Sequence, residues 1–124
     1  MKVKNVVIEV RSLKSALREF AEVYGKLKRG ENVEPKFGIG FESVEGFRRV
    51  MTDKRMEVLK AIKEKSPDSI YELAGIVKRD LKSVNGDIKI LKDLGLVSLE
   101  KERSVRKRVK PIVEFDRLNV GIVF

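Results

Sequence analysis

From residue 81 to residue 94, apolar side chains recur at the three- and four-residue spacing of one helix face, and this pattern constrains the fold more than any other. It runs through Asn85-Gly86, a pair that ordinarily marks a hairpin turn. Because the repeat continues on both sides of the pair, we predict a helix that Asp80 can cap and that ends before Gly95. Its apolar stripe consists of Leu81, Val84, Ile88, Leu91 and Leu94.

Two shorter helices are predicted before it, also from apolar residues three or four positions apart. The first can be capped by Thr52 or Asp53. The second follows the break at residues 66–69, where Ser66 and Ser69 are both possible caps and Pro67 suits a first helical turn. Their apolar positions are Met56, Leu59 and Ile62 in the first helix, and Ile70, Leu73, Ala74 and Val77 in the second.

Strand-like segments follow the third helix. Residues 96–100 favour a strand, residues 102–104 a turn, and residues 105–113 a returning strand in which Pro111 fits only near an edge. Three helices followed by a two-stranded ribbon are typical of a winged helix-turn-helix.

Strands are also predicted at both ends of the chain, over residues 3–10 and 118–124. Each of these segments is short and rich in apolar and β-branched residues. Ser12 can cap a helix over residues 13–27, and residues 37–41 alternate with the period of a strand. An apolar strand at the end of a chain needs a partner. We therefore expect the two terminal strands to pair over the face of the helix at residues 13–27, within one chain or between two copies, and we favour the pairing that builds a dimer.

These elements together predict an α+β fold, a winged helix-turn-helix with an N-terminal strand-helix extension and a C-terminal strand. Residues 1–44 are expected to form a strand-helix-strand unit that dimerises. Residues 45–115 form the winged helix-turn-helix, and residues 116–124 a strand that packs on the first unit. We favour a dimer because one short recognition helix reads too few base pairs for useful specificity.

The chain is strongly basic, with 28 Lys and Arg against 19 Asp and Glu, a formal charge of +9. Residues 78–110 alone hold eleven basic and five acidic residues, a net charge of +6. Charge concentrated in this way favours a polyanionic partner such as nucleic acid. A lysine-rich solvated surface is the alternative explanation.

The sequence has no Cys and no His, which excludes disulfides, thiolate or imidazole metal ligands, and Cys or His nucleophiles. The remaining reactive side chains form no recognisable catalytic arrangement, so we expect no enzyme, no cofactor and no metal site. No apolar run reaches the length of a membrane span, and we expect a cytoplasmic protein. Abundant Lys and Glu without Gln or Trp are compatible with growth at high temperature.

The run "SIYELAGIVKRDLKSVNGDIKILKDLGLV" resembles the helix-turn-helix of MarR-like winged-helix transcriptional regulators. The likeness extends over nearly the whole chain to an archaeal and bacterial DNA-binding family that has an N-terminal strand and helix, a segment like "FESVEGFRRVMTDKRMEVLKAI" and a C-terminal strand. The resemblance implies a homodimeric, sequence-specific regulator, expected to be a repressor. Its third helix would enter the DNA major groove, and its ribbon would contact the DNA backbone or minor groove.

The third helix has a polar face opposite its apolar stripe at 100° per residue. On this face Asn85 can pair with adenine and Lys82 or Lys89 can reach guanine or a phosphate, while Gly86 would bring the helix backbone close to the groove. A neutral surface glycine is the alternative. Basic residues of the ribbon suit phosphate contacts, unless they only protect an edge strand. The candidate DNA-binding residues are Lys78, Arg79, Lys82, Ser83, Asn85, Gly86, Lys89, Arg103, Arg106, Lys107 and Arg108.

A winged helix can also be a protein-interaction module, or an antitoxin-like repressor that binds a partner protein as well as DNA. Exposed apolar surface on the N-terminal unit, together with poor DNA binding, would favour that function. RNA binding is less compatible with this composition, because only two Tyr and six Phe are present to stack on bases.

Overall fold

The structure, a computed structural model, describes residues 4–33, 38–101 and 108–124. Its elements are, in chain order, β1 (Asn5–Val10), α1 (Leu13–Lys28), β2 (Gly38–Phe41), α2 (Val44–Val50), α3 (Asp53–Lys65), α4 (Ile70–Val77), α5 (Leu81–Asp93), β3 (Ser98–Lys101), β4 (Val109–Ile112) and β5 (Arg117–Ile122). This mixture of helices and small sheets agrees with the α+β class predicted from the sequence.

Contacts divide the chain into two compact units. The first extends to Arg49 and takes in Asp116–Phe124, and the second is Val50–Phe115. The boundary expected after residue 44 therefore falls inside the first unit. Helix α2 spans Val44–Val50, so the observed boundary after Arg49 lies near the end of that helix.

The first unit contains a parallel sheet in the order β2-β1-β5. In its register Ile8 of β1 lies between Ile39 of β2 and Val120 of β5, so the three strands share one apolar face. Ile8 and Val10 are buried. The two terminal strands pair within one chain, and a dimer therefore needs another surface to join its copies.

Helix α1 begins where the sequence predicts. The Ser12 hydroxyl accepts a hydrogen bond from the Ser15 N–H at 3.1 Å, which satisfies one of the free N–H groups of the first turn. At the end of β1, the Arg11 guanidinium pairs with Glu9 at 3.0 Å and with Glu19 of α1. These ion pairs join the helix to the sheet, yet no residue of α1 is buried.

The second unit packs α3, α4 and α5 around an apolar core and adds the antiparallel ribbon β3-β4. Met56 was expected in the core but is 42% exposed, and Leu81 is also exposed. Each lies in the first turn of its helix, and Val58, which the predicted stripe omitted, is fully buried. The buried apolar side chains of this unit are Met51, Val58, Leu59, Ile62, Leu73, Ala74, Val84, Ile88, Leu91, Leu96, Val97 and Val113.

The break between α3 and α4 uses its two serines differently. Ser66 ends α3 in the left-handed conformation, with φ of 46°, and only Ser69 caps α4, through a hydrogen bond from the Glu72 N–H at 3.0 Å. Pro67 between them is buried. A proline directly after a helix end prevents the helix from continuing, which explains the sharp turn into α4.

In the ribbon, Leu99 of β3 lies opposite Pro111 of β4. Each strand of a two-stranded ribbon is an edge, where proline is tolerated. The turn predicted at residues 102–104 lies outside the described residues. None of the helices in the described part of the chain is long and apolar enough to cross a membrane.

Candidate nucleic-acid interface

Helices α4 and α5 are joined by the short segment Lys78-Arg79-Asp80. Lys78 ends α4 in the left-handed conformation, with φ of 56°, and its N–H donates to the Ala74 carbonyl. The N–H of Arg79 donates to the same carbonyl at 3.1 Å. These bonds satisfy the end of α4 and direct the chain at once into α5.

Asp80 caps α5 through both carboxylate oxygens. One accepts the Ser83 N–H at 2.9 Å and the other accepts the Ser83 hydroxyl at 2.7 Å. The hydroxyl hydrogen bond first, and the backbone bond second, lower the pKa of Asp80 below its ordinary value. The cap is therefore fully effective at neutral pH and weakens as the pH falls below about 4. Ser83, a candidate DNA contact, donates its hydroxyl hydrogen to this cap.

Asp87 is the one charged residue that is buried among those the structure describes, at 8% exposure. One carboxylate oxygen accepts from Arg55 Nε of α3 at 3.1 Å, and the other accepts from Arg79 Nη1 at 2.7 Å. Arg55 also donates to the Val50 carbonyl at 2.8 Å. We name Asp87, Arg55 and Arg79 the ionic cluster. It gives Arg79 a structural role, and the DNA contact expected of this residue stays a prediction.

The outer face of α5 carries Lys82, Asn85, Gly86 and Lys89, all exposed. Helical geometry places these residues opposite the buried stripe of the same helix, as the sequence pattern predicts. A Cβ atom built on Gly86 meets nothing within 4 Å. Packing inside the chain therefore does not require glycine at this position.

We expect Gly86→Ala to raise the free energy of unfolding by about 0.5–1 kcal/mol, because alanine loses less conformational freedom than glycine in a helix interior. Chemical denaturation measures this change. Gly95→Ala is the matched control, since its Cβ also meets nothing within 4 Å but its φ is +82°. That variant should be destabilised by about 1 kcal/mol or more. If Gly86→Ala lowers the free energy of unfolding instead, the face of α5 at residue 86 is not open to solvent.

A groove of about 540 Å³ lies between the start of α4, the start of α5 and β4. It brings together Asn85 and Arg108, which come from different elements and were both candidate contacts. Tyr71 also lines the groove and is 78% exposed. Sequence reasoning missed Tyr71, although an aromatic residue outside the apolar stripe of a helix is a detectable signal. The other lining residues are Ser69, Ile70, Glu72, Leu81 and Val109.

The HVO_A0114 family matches residues 50–120, which is more than half of the chain. The chain belongs to the HVO_A0114 family. No curated protein matches it. The part shared with the HVO_A0114 family includes the whole second unit and hence the ionic cluster, the outer face of α5 and the groove.

The remaining candidate contacts of this HVO_A0114 family member differ in placement. Lys78 is exposed at the turn before α5, and Arg108 is exposed where β4 begins. Arg103, Arg106 and Lys107 lie outside the described residues. Within the described ranges, no group of three or more acidic side chains is arranged to hold a metal ion.

Proposed function

We propose that the protein is a sequence-specific duplex-DNA-binding regulator of transcription, a repressor that acts as a homodimer. In this proposal the second unit is a MarR-like winged helix-turn-helix, with α4 and α5 as the helix-turn-helix and β3-β4 as the wing. The observation that carries it is the outer face of α5, where two lysines and an asparagine surround a glycine that packing does not require.

The chemistry of this face suits a DNA major groove. An α-helix fits the groove, and an asparagine amide can pair with both the acceptor and the donor of an adenine edge. Lys82 and Lys89 lie on the same face at positions that suit guanine or phosphate oxygens. The missing side chain at Gly86 lets the helix backbone come closer to the bases.

The groove beside α5 suits the DNA backbone. The Tyr71 hydroxyl is a hydrogen-bond donor for phosphate, Arg108 is a cation, and the start of α4 presents backbone N–H groups. These groups line one groove beside the start of α5, where they suit the phosphates that flank the bases α5 would contact.

The test is fluorescence anisotropy with a duplex selected from random sequences and with a scrambled duplex, at about 50 mM salt where phosphate contacts are strongest. Asn85→Ala should weaken binding to the selected duplex by about 1–3 kcal/mol and to the scrambled one by much less, because base contacts alone depend on sequence. Lys89→Ala should weaken both about equally if it contacts phosphate.

Lys60→Ala on α3 is the matched control, because it removes one exposed positive charge from another helix of the same unit. Its affinity for both duplexes should stay near that of the unchanged protein. Undetectable binding to any duplex at this salt would overturn the proposal. Equal losses on both duplexes for Asn85→Ala would reduce Asn85 to a positioning residue.

The second candidate function is an antitoxin-like or other protein-interaction module. The exposed apolar side chains of α1 favour it, because contiguous apolar surface on a protein often marks an interaction site. A chain that remains monomeric and binds no duplex DNA would support this function over the first.

A further inference from the structure

Helix α1 exposes an apolar stripe that the described residues of its own unit leave mostly uncovered. Phe20, at the centre of the stripe, is 69% exposed, and the other four side chains are each more than half exposed. We name these residues the α1 stripe: Leu13, Leu17, Phe20, Tyr24 and Leu27. Their separations along the chain are four, three, four and three residues. This is the repeat by which one helix packs its side chains between those of another helix.

The sheet of the first unit uses a different side of α1. Ala16, Glu19 and Val23 are the half-buried residues on the side next to the stripe, and Glu19 pairs with Arg11 at the end of β1. Arg18, Glu22 and Lys26 are exposed on the side away from the stripe at 100° per residue. The stripe contains no charged residue and, apart from Leu13, which also lines a cavity beside β1 and β2, it points neither at the sheet nor along the charged side.

We propose that the α1 stripe is covered by the α1 stripe of a second copy of this chain, with the two helices antiparallel. A second copy presents the same repeat, and a two-fold axis brings the two identical stripes together. This inference deepens the homodimer of the proposed function by naming its interface. It rests on the first unit alone and does not depend on DNA binding.

The amount of surface fits such a pair. Five apolar side chains that are mostly exposed present on the order of 500 Å² per copy, which is near the upper size of an apolar patch on a monomeric protein. Polar side chains beside the stripe would add to this area. Two such stripes together would bury on the order of 1,000 Å², which is the lower limit for a specific interface.

Three features favour the antiparallel direction. It opposes the helix dipoles, and it separates the two Lys28 side chains, which lie beside the stripe and which a parallel dimer would bring together. It also places Leu17 of one copy opposite Tyr24 of the other, with Phe20 facing Phe20 at the centre. Small side chains opposite large ones fill an interface evenly.

Disulfide trapping tests the contact, because the chain has no cysteine and each introduced thiol is unique. Phe20→Cys should form a cross-linked dimer under mild oxidation. Leu13→Cys and Leu27→Cys should cross-link when mixed but only weakly alone. Glu22→Cys, on the far side of α1, is the control and should remain uncross-linked. Failure of Phe20→Cys to cross-link above the Glu22→Cys control would overturn the α1 contact, and efficient cross-linking of Leu13→Cys alone would overturn the antiparallel direction.

Sedimentation of the full chain gives an independent measurement. The unchanged protein should be dimeric at micromolar concentration, and Leu17→Glu with Phe20→Glu should raise the dissociation constant at least 100-fold. Arg18→Glu, an added acid on the charged side of α1, should leave it unchanged. A monomeric unchanged protein would overturn the inference. A cross-linked dimer that binds no duplex DNA would leave the α1 contact supported and overturn only the DNA-binding function.

Discussion

Asp87→Asn is expected to lower the free energy of unfolding of the second unit by about 3–5 kcal/mol, because the guanidinium groups of Arg55 and Arg79 would lose their shared counter-charge while staying mostly buried. The side chains of all three residues are less than one fifth exposed. The amide also directs N–H hydrogens at one of the two guanidiniums. For a unit of this size the melting temperature should fall on the order of 15 °C or more.

Asp93→Asn is the matched control, since it makes the same change at an exposed position of the same helix. It should alter the free energy of unfolding by no more than about 0.5 kcal/mol. Denaturant titration followed by circular dichroism measures both variants. If Asp87→Asn unfolds at the same denaturant concentration as Asp93→Asn, the ionic cluster does not hold α3 and α5 together.

The ionic cluster also shows where sequence reasoning ends. Helix α5, its Asp80 cap and its end near Gly95 were predictable, because caps and helical periodicity act over a few residues. Asp87 counted only as one acidic residue in a basic segment. Its partners are 8 and 32 residues away along the chain, and no local pattern reports which distant side chains a helix will meet.

In the first unit, likewise, the strands were predictable from the sequence but their order in the sheet was not. Apolar and β-branched composition predicted strands at both ends of the chain, alternation predicted one near residue 38, and the structure has a strand at each place. Their parallel order β2-β1-β5 was not predicted, because alternation reports which face is buried and not which strand lies alongside. In the candidate site, the outer face of α5 followed from helix geometry. The approach of Tyr71 and Arg108 to Asn85 depends on tertiary packing.

The affinity for duplex DNA is expected to fall about 10³-fold between 50 mM and 200 mM salt if the bound homodimer contacts about six phosphates in all, because each neutralised phosphate releases bound counterions. Among the described residues, Lys78, Lys82, Lys89 and Arg108 are exposed cations near the proposed DNA-binding face. The sequence has three more cations, Arg103, Arg106 and Lys107, in residues 102–107, which lie outside the described residues. Titrations at four or more salt concentrations give the slope of log affinity against log salt.

The slope of log affinity against log salt, compared between variants, distinguishes phosphate contacts by particular residues from a general attraction of DNA to a basic protein. Replacing Lys82 and Lys89 together with alanine should make the slope shallower by about 4 for the homodimer, because two phosphate contacts are lost in each copy. Replacing Lys54 and Lys60 of α3 removes the same charge from exposed positions elsewhere in the unit and should leave the slope unchanged. Equal changes in the two double variants would mean that net charge alone attracts DNA, and that the outer face of α5 does not bind it.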